Sequence, residues 1–134
     1  MSVKKILCPC GRQQQKQLLS FEKCCARYLD HVADFPAPDA ESLMRARYSA
    51  FVFEREDYLK ATWSAEQCPS TIEFDAGVKW LGLDVKRHRQ IDAEHAEVEF
   101  VARSRLNGRA NRLHELSQFV KKDGRWFYVD GELF

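Results

Sequence analysis

The stretch Leu113-His114-Glu115-Leu116-Ser117-Gln118-Phe119-Val120-Lys121-Lys122-Asp123-Gly124-Arg125-Trp126-Phe127-Tyr128-Val129 decides the fold. Asp123-Gly124 tolerates the two positive φ angles of a type I′ hairpin turn, and both flanks read as strand. Counting outward from the turn pairs Lys121 with Trp126, Phe119 with Tyr128, Ser117 with Asp130 and Glu115 with Glu132 on one face. Val120 opposite Phe127 and Gln118 opposite Val129 then occupy the other.

Towards the N-terminus, Leu81, Leu83 and Val85 alternate with other residues, as do Ala96, Val98, Phe100 and Ala102. With the hairpin they predict four strands. Upstream of Leu81 the period changes from 2 to 3.6. Leu43, Met44, Tyr48, Phe51 and Val52 share one side of a helix predicted over Ala40–Arg55, with Asp39 as its cap. A shorter helix follows, capped by Asp57 and carrying Tyr58, Leu59, Thr62 and Trp63; Cys68-Pro69-Ser70 breaks it. The stretch from Thr71 to Val78 fits a short helix or a loop. Helices first and strands afterwards indicate an α+β class, N-terminal helices packed on an antiparallel four-stranded sheet.

Pro36 and Pro38, separated by one residue, enforce an extended link. The link divides the chain into a segment 1–36 with a small cysteine motif and a domain 37–134. The helical stripes and all four strands lie beyond the link, so residues 39–134 are expected to complete a core by themselves.

Four of the five cysteines lie before the link: Cys8-Pro9-Cys10 and Cys24-Cys25. No stretch of the chain reads as an export signal, which predicts a cytoplasmic protein in which a cysteine cluster serves a metal rather than disulfides. Zinc accepts four thiolates in a tetrahedron, so Cys8, Cys10, Cys24 and Cys25 are the candidate ligands. His31 is the nearest substitute. The alternative is a helical stripe of Leu18, Phe21, Cys25, Tyr28 and Val32 with Cys24 exposed. Cys68, before a proline, reads as a small buried filler.

The chain has 134 residues, with 21 basic against 20 acidic side chains. That balance argues against a general polyanion binder. No hydrophobic run exceeds four residues (Ala50–Phe53, Trp126–Val129), against the roughly 20 needed for a membrane span. The one basic run, Lys86-Arg87-His88-Arg89, divides between the two faces of a strand and reads as solvated surface, so direct nucleic-acid contact is not expected.

Cys8-Pro9-Cys10-Gly11 with Cys24-Cys25 resembles the SEC-C zinc motif first described at the tail of the bacterial preprotein translocation ATPase. Here 13 residues separate the cysteine pairs, a longer loop than usual, and Gly11 is followed by Arg12 and three glutamines. Closure cost grows only logarithmically with loop length, so the ligand set is retained. The remainder is similar to the YchJ family of small bacterial proteins. The residues that carry the likeness are Leu43-Met44-Arg45-Ala46-Arg47-Tyr48-Ser49-Ala50, Tyr58-Leu59 with Thr62-Trp63, Glu97 to Arg103, Leu113-His114-Glu115 with Ser117 and Phe119, and Gly124-Arg125-Trp126 to Gly131. The resemblance implies a nuclear-transport-factor-2-like (cystatin-like) fold, a curved sheet with helices packed on it and room for a conical pocket. It implies no established activity.

The face bearing Glu115, Ser117, Phe119, Trp126, Tyr128 and Asp130 combines an aromatic wall with convergent polar groups, which is how ligand pockets are built. A cross-strand hydrogen bond between Ser117 and Asp130 is the plainer account of the same residues. Arg47, at the margin of the helix stripe, is expected to form an ion pair with a sheet carboxylate such as Glu115 or Glu99. His114 and Glu115 alternate across their strand and cannot act as a base and its orienter. The leading expectation is a non-enzymatic zinc-knuckle module docking on a protein or ribosomal partner. The competing one is a small-molecule binder or enzyme that uses the cone, and pairing of exposed sheet faces allows a homodimer.

Overall fold

A computed structural model describes residues 6–134. A short hairpin, β1 (Gln13–Gln14) and β2 (Gln17–Leu18), precedes three helices, α1 (Ala26–Leu29), α2 (Ala40–Val52) and α3 (Glu56–Ala61). Four long strands follow: β3 (Val78–Gln90), β4 (His95–Leu106), β5 (Arg109–Lys122) and β6 (Arg125–Leu133). They form one antiparallel sheet in the order β3-β4-β5-β6. This is the predicted α+β architecture, with strands longer than the alternation alone marked. Among the described residues no helix is long and apolar enough to cross a membrane.

The Asp123-Gly124 turn has φ of 52° and 78°, and Lys121↔Trp126, Val120↔Phe127 and Phe119↔Tyr128 pair as counted from it. Beyond Tyr128 the register shifts: Gln118 faces Asp130 and Ser117 faces Gly131. Val129 is the extra residue of a β-bulge, and a one-residue insertion moves every later side chain to the opposite face. The expected pairings of Ser117 with Asp130, Glu115 with Glu132 and Gln118 with Val129 are thereby corrected. Two further irregularities interrupt β3, at Trp80/Gly82 and Val85/Arg87. Such insertions increase local twist and curl a sheet into a trough.

Asp39 caps α2 as expected, its carboxylate accepting from the Ser42 amide at 2.7 Å. The helix stops at Val52 rather than Arg55, because Glu54 takes φ +54°. Arg55, not Asp57, occupies the cap position of α3, and Asp57 lies in its first turn. Of the stretch from Thr71 to Val78, all but Val78, which begins β3, is loop, with Ile72 and Phe74 packed against the core. The edge of β6 is partly covered: Ser64 donates its amide to the Tyr128 carbonyl (2.7 Å), and the Tyr128 amide donates to Thr62 (2.8 Å). Cys68 sits half-buried in the loop after α3, not in the core.

Nine of the 13 residues of α2 are buried, including Ser42, Arg47 and Ser49. A helix on a sheet buries one stripe; one buried nearly all round is covered from a second side. The cover is the segment before the Pro36 link. Cys8, Cys10, Cys24, Cys25, Tyr28 and Leu29 share one hydrophobic cluster with Leu43, Leu59, Val98 and Phe119. Arg45 reaches back to the Cys10 carbonyl (2.9 Å), Arg12 to the Ser42 hydroxyl (2.9 Å), and Arg55 to the Leu29 carbonyl (3.0 Å). The core is continuous across the link.

On the sheet face turned away from the helices, Arg87 pairs with Glu99 (3.5 Å) and Arg89 with Glu97 (3.6 Å), while His88 points towards Glu41 of α2 (3.9 Å). The basic run thus divides between faces and is met by acidic neighbours.

Candidate functional site

The first site is the cysteine knuckle. Gly11 at φ +73° closes a turn in which its amide donates to the Cys8 carbonyl (3.2 Å), and the turn brings Cys8 and Cys10 to the same side. The residues between the cysteine pairs form the β1–β2 hairpin, whose turn residues Gln15 and Lys16 both have positive φ. Cys8 donates its amide to Leu19 (3.0 Å), so the hairpin delivers the chain back to its start. A tight turn follows, with Cys24 donating to Phe21 and Leu29 to Cys25, and α1 begins at Ala26.

All four sulfurs lie within 4.8 Å of one another, with Cys8 to Cys10 and Cys10 to Cys24 both at 3.6 Å. Sulfurs on a tetrahedral zinc at bonds of roughly 2.3 Å stand about 3.8 Å apart, so the donor set fits that ion. The helical-stripe alternative, with Cys24 exposed, does not hold: Cys24 and Cys25 are both buried, and His31 is exposed outside the cluster. Hydrogen bonds from neighbouring thiols lower the pKa of Cys8, and those from Cys24 and Cys25 lower that of Cys10 to about 7. The same neighbours raise Cys24 and Cys25. Ionisation of Cys8 and Cys10 is favoured and that of Cys24 and Cys25 is opposed, an opposition that a divalent cation removes.

The second site is a cone between α2, the loop before β3 and the concave sheet face, with a cavity of about 320 Å³. One wall carries Tyr48, Phe51, Phe74, Trp80, Phe100 and Phe119. Trp63 and Tyr128 close the other, rings edge to face at 5.3 Å. The chain's cover on the edge of β6 sets this pair, since Trp63 lies between the two residues that hydrogen-bond to Tyr128.

Arg47 is 5% exposed and lies over both the Tyr128 and Trp63 rings, at 4.5 and 4.9 Å from their centroids. Its Nη1 donates to the Leu59 carbonyl (2.8 Å) and the Thr62 hydroxyl (2.9 Å) at the C-terminus of α3. The expected ion pair with Glu115 or Glu99 is not formed; aromatic faces and helix-end carbonyls hold the guanidinium instead. Burial lowers its pKa to about 10. Glu115 accepts from the Ser117 hydroxyl and from Tyr128 Oη (3.4 Å). Burial, then the nearby Glu115 charge, raises the Tyr128 pKa. The Trp63 indole nitrogen is buried with no acceptor among the described residues.

Of the seven candidate pocket residues, Arg47, Glu115, Ser117, Phe119 and Tyr128 line this cone. Trp126 does not; it shares the sheet face but packs on the far side of α2 with Pro36, Ala37, Leu43 and Tyr58. Asp130 is exposed, turned to the opposite face by the bulge at Val129. Sequence reasoning missed Trp63, Trp80 and Phe74 as wall residues. Trp80 is out of phase with the Leu81, Leu83 and Val85 alternation; the irregularity at Trp80/Gly82 puts it on the face of Leu83 and Val85 and leaves Leu81 exposed. Phe74 lay in the stretch that periodicity left open.

Comparison with known proteins identifies the family. Residues 39–131 match the family model described as the YchJ middle NTF2-like domain. A UPF0225 protein of Polaromonas sp. strain JS666 is 64% identical over 127 residues, spanning 93% of this chain and 91% of its own. A UPF0225 protein of Bordetella pertussis is 53% identical, spanning 94% and 92%. Among solved structures, a SEC-C motif containing protein from Psychrobacter arcticus superposes with a TM-score of 0.77 at 31% identity, covering 92% of this chain and 80% of that one. Another, from Rhodopseudomonas palustris, gives 0.79 at 30%, covering 96% and 99%. With its helices on a curved four-stranded sheet and its four-cysteine knuckle, the chain belongs to the YchJ family.

Proposed function

We propose that this protein is a small-molecule-binding module whose cone is held in shape by a zinc-filled knuckle. The observation that carries the reading is the cone itself. A cavity of about 320 Å³, at the lower end of the range for ligand pockets, combines aromatic walls with a few convergent polar groups. Protein interiors are close-packed and leave few voids larger than a water molecule, so a space of this volume is suited to a guest. The Trp63 indole N–H, buried without an acceptor, is completed by a ligand oxygen or a water. The knuckle supports the cone indirectly. It covers the back of α2, the helix from which Arg47, Tyr48 and Phe51 enter the cavity. Four buried thiolates leave zinc no open position, which is the arrangement of a structural rather than a catalytic ion.

A thermal-shift screen of small fragments on the wild type and on Ala102→Phe tests the binding reading. Ala102 lines the cone and is buried, so an added ring there fills it. Fragments that stabilise the wild type and leave Ala102→Phe unmoved support the reading; a screen without hits, or hits equal on both proteins, rejects it.

A docking role for the knuckle on a protein or ribosomal partner draws support from a different observation. Ile6, Leu7 and Leu18, beside the hairpin, are 64%, 54% and 48% exposed, and apolar side chains grouped at a surface favour contact with a partner. Cosedimentation with ribosomes, lost in Leu7→Ser with Leu18→Ser, is its test.

A further inference from the structure

We propose that the cone selects an organic cation: an ammonium group attached to an apolar or aromatic body, with the charged end beside Glu115. This rests on the binding reading above and names the chemistry of the ligand. The charged groups lining the cavity are one guanidinium, Arg47, and four carboxylates, Glu54, Glu73, Asp75 and Glu115. None of the four carboxylates lies within ion-pair distance of a basic side chain among the described residues, although acidic groups elsewhere on the surface do.

Arg47 is held at one wall: its guanidinium packs beside the adjoining Trp63 and Tyr128 rings and its Nη1 is occupied by the end of α3. Counted against the four carboxylates, its charge leaves the residues that line the cavity with a net of three negative charges. Glu54, Glu73 and Asp75 are exposed and form the rim, while Glu115 is half-buried beneath them. A carboxylate in a partly dry, low-dielectric site attracts a cation more strongly than one in water. Its Oε2 receives Ser117 and Tyr128, leaving Oε1 available.

The walls suit the same ligand. Tyr48, Phe51, Trp80 and Phe100 present aromatic rings that are not covered by Arg47. Ring faces attract cations through their quadrupole and accept apolar groups by burial, so an aromatic cage with an acidic floor favours an alkylated ammonium over a carboxylate or a phosphate. The exposed acidic rim raises the local concentration of cations and repels anions before contact.

The test uses the full, metal-loaded protein and three probes of similar shape: benzyltrimethylammonium, its uncharged carbon isostere neopentylbenzene, and phenylacetate. Trp63 and Trp80 line the cavity, so tryptophan emission reports occupancy. Benzyltrimethylammonium is expected to bind at least about tenfold more tightly than either other probe, and Glu115→Gln to weaken it by about tenfold or more while leaving neopentylbenzene unchanged. Glu73→Gln with Asp75→Asn, both on the exposed loop, keeps the test independent of the folding of the Glu115 variant. That double change should weaken the cation and reduce the salt dependence of its affinity. Equal or tighter binding of phenylacetate or neopentylbenzene overturns the proposal. So does indifference of benzyltrimethylammonium to both sets of variants. Failure of all three probes alongside fragment hits blocked by Ala102→Phe rejects the cation alone; failure of the fragment screen as well rejects the cone.

Discussion

The Glu115 side chain lies against the backbone of Gly131, the residue opposite Ser117 that the bulge in β6 brings onto the concave face. A β-carbon built on Gly131 would fall well inside van der Waals contact of the Glu115 carboxylate and its stem. The absence of a side chain at one position thus seats the half-buried carboxylate of the cone.

Gly131→Ala should therefore push Glu115 off its seat. Crowding of this kind costs roughly 1–3 kcal/mol when the neighbour cannot yield. Because Glu115 is flexible and opens towards a cavity, the expectation is the lower end of that range in urea unfolding, together with weakened binding of a cationic probe. Unchanged stability and unchanged binding would show that Glu115 finds an equivalent place.

Arg47→Met tests the scaffold role of the buried guanidinium. The substitution keeps volume and apolar contact with Trp63 and Tyr128 but removes the donors to Leu59 and Thr62. Buried acceptors left without a partner cost about 1–3 kcal/mol. Arg47→Lys should recover little, since a compact ammonium lacks the planar fork that packs beside both rings while Nη1 reaches both oxygens. A stabilised Arg47→Met protein would mean that burying the charge outweighs its hydrogen bonds.

The hairpin around Asp123-Gly124 was legible because a two-residue turn fixes register locally, and the sheet face it assigned to Glu115, Ser117, Phe119, Trp126 and Tyr128 is the concave one. Asp130 was placed wrongly because nothing in Trp126-Phe127-Tyr128-Val129-Asp130-Gly131 marks Val129 as an inserted residue. Only the fit of Gly131 under Glu115 does, and that is a tertiary contact. Trp126 was on the right face but in the wrong compartment, since alternation gives the side of a sheet and says nothing of where a helix crosses it. For the same reason the cysteines were readable from their spacing as a set able to hold a metal, whereas their burial against α2 was not: the Pro36 link suggested separate parts, and covering two sides of one helix is a property of the assembled core.

Two buried tyrosines, Tyr48 and Tyr58, and the half-buried Tyr128 predict the alkaline limit of stability. Burial raises the pKa of Tyr48 to about 12 and raises those of Tyr58 and Tyr128 as well. In the unfolded chain these phenols ionise near pH 10. Above that pH the unfolded state has lost protons that the folded state keeps, so stability present below about pH 10 falls as pH rises towards the folded values. Phenolate absorbance should show these three tyrosines titrating together with unfolding rather than ahead of it. Tyr128→Phe should flatten the slope; early, reversible ionisation of these three in the native protein would contradict the raised values.

Removal of the knuckle metal should be felt throughout the molecule. Cys8 Sγ lies 3.6 Å from the hydroxyl of Ser49, a fully buried residue on the knuckle side of α2, and the hydrophobic cluster runs from the cysteines through Leu43 to the sheet. The protein is expected to carry about one zinc per chain by elemental analysis. Cys8→Ser with Cys10→Ser should abolish that content. It would also leave polar atoms against α2 and expose the surface that Tyr28 and Leu29 cover. Structural zinc sites contribute folding free energy directly. The whole protein, followed by circular dichroism of the sheet and by tryptophan emission, should therefore unfold in one transition at a clearly lower temperature, and a strong chelator should move the wild type the same way. The opposite result is two transitions, with the sheet melting as in the wild type while only the first 36 residues loosen. It would show that residues 39–134 complete their own core despite the contacts across α2.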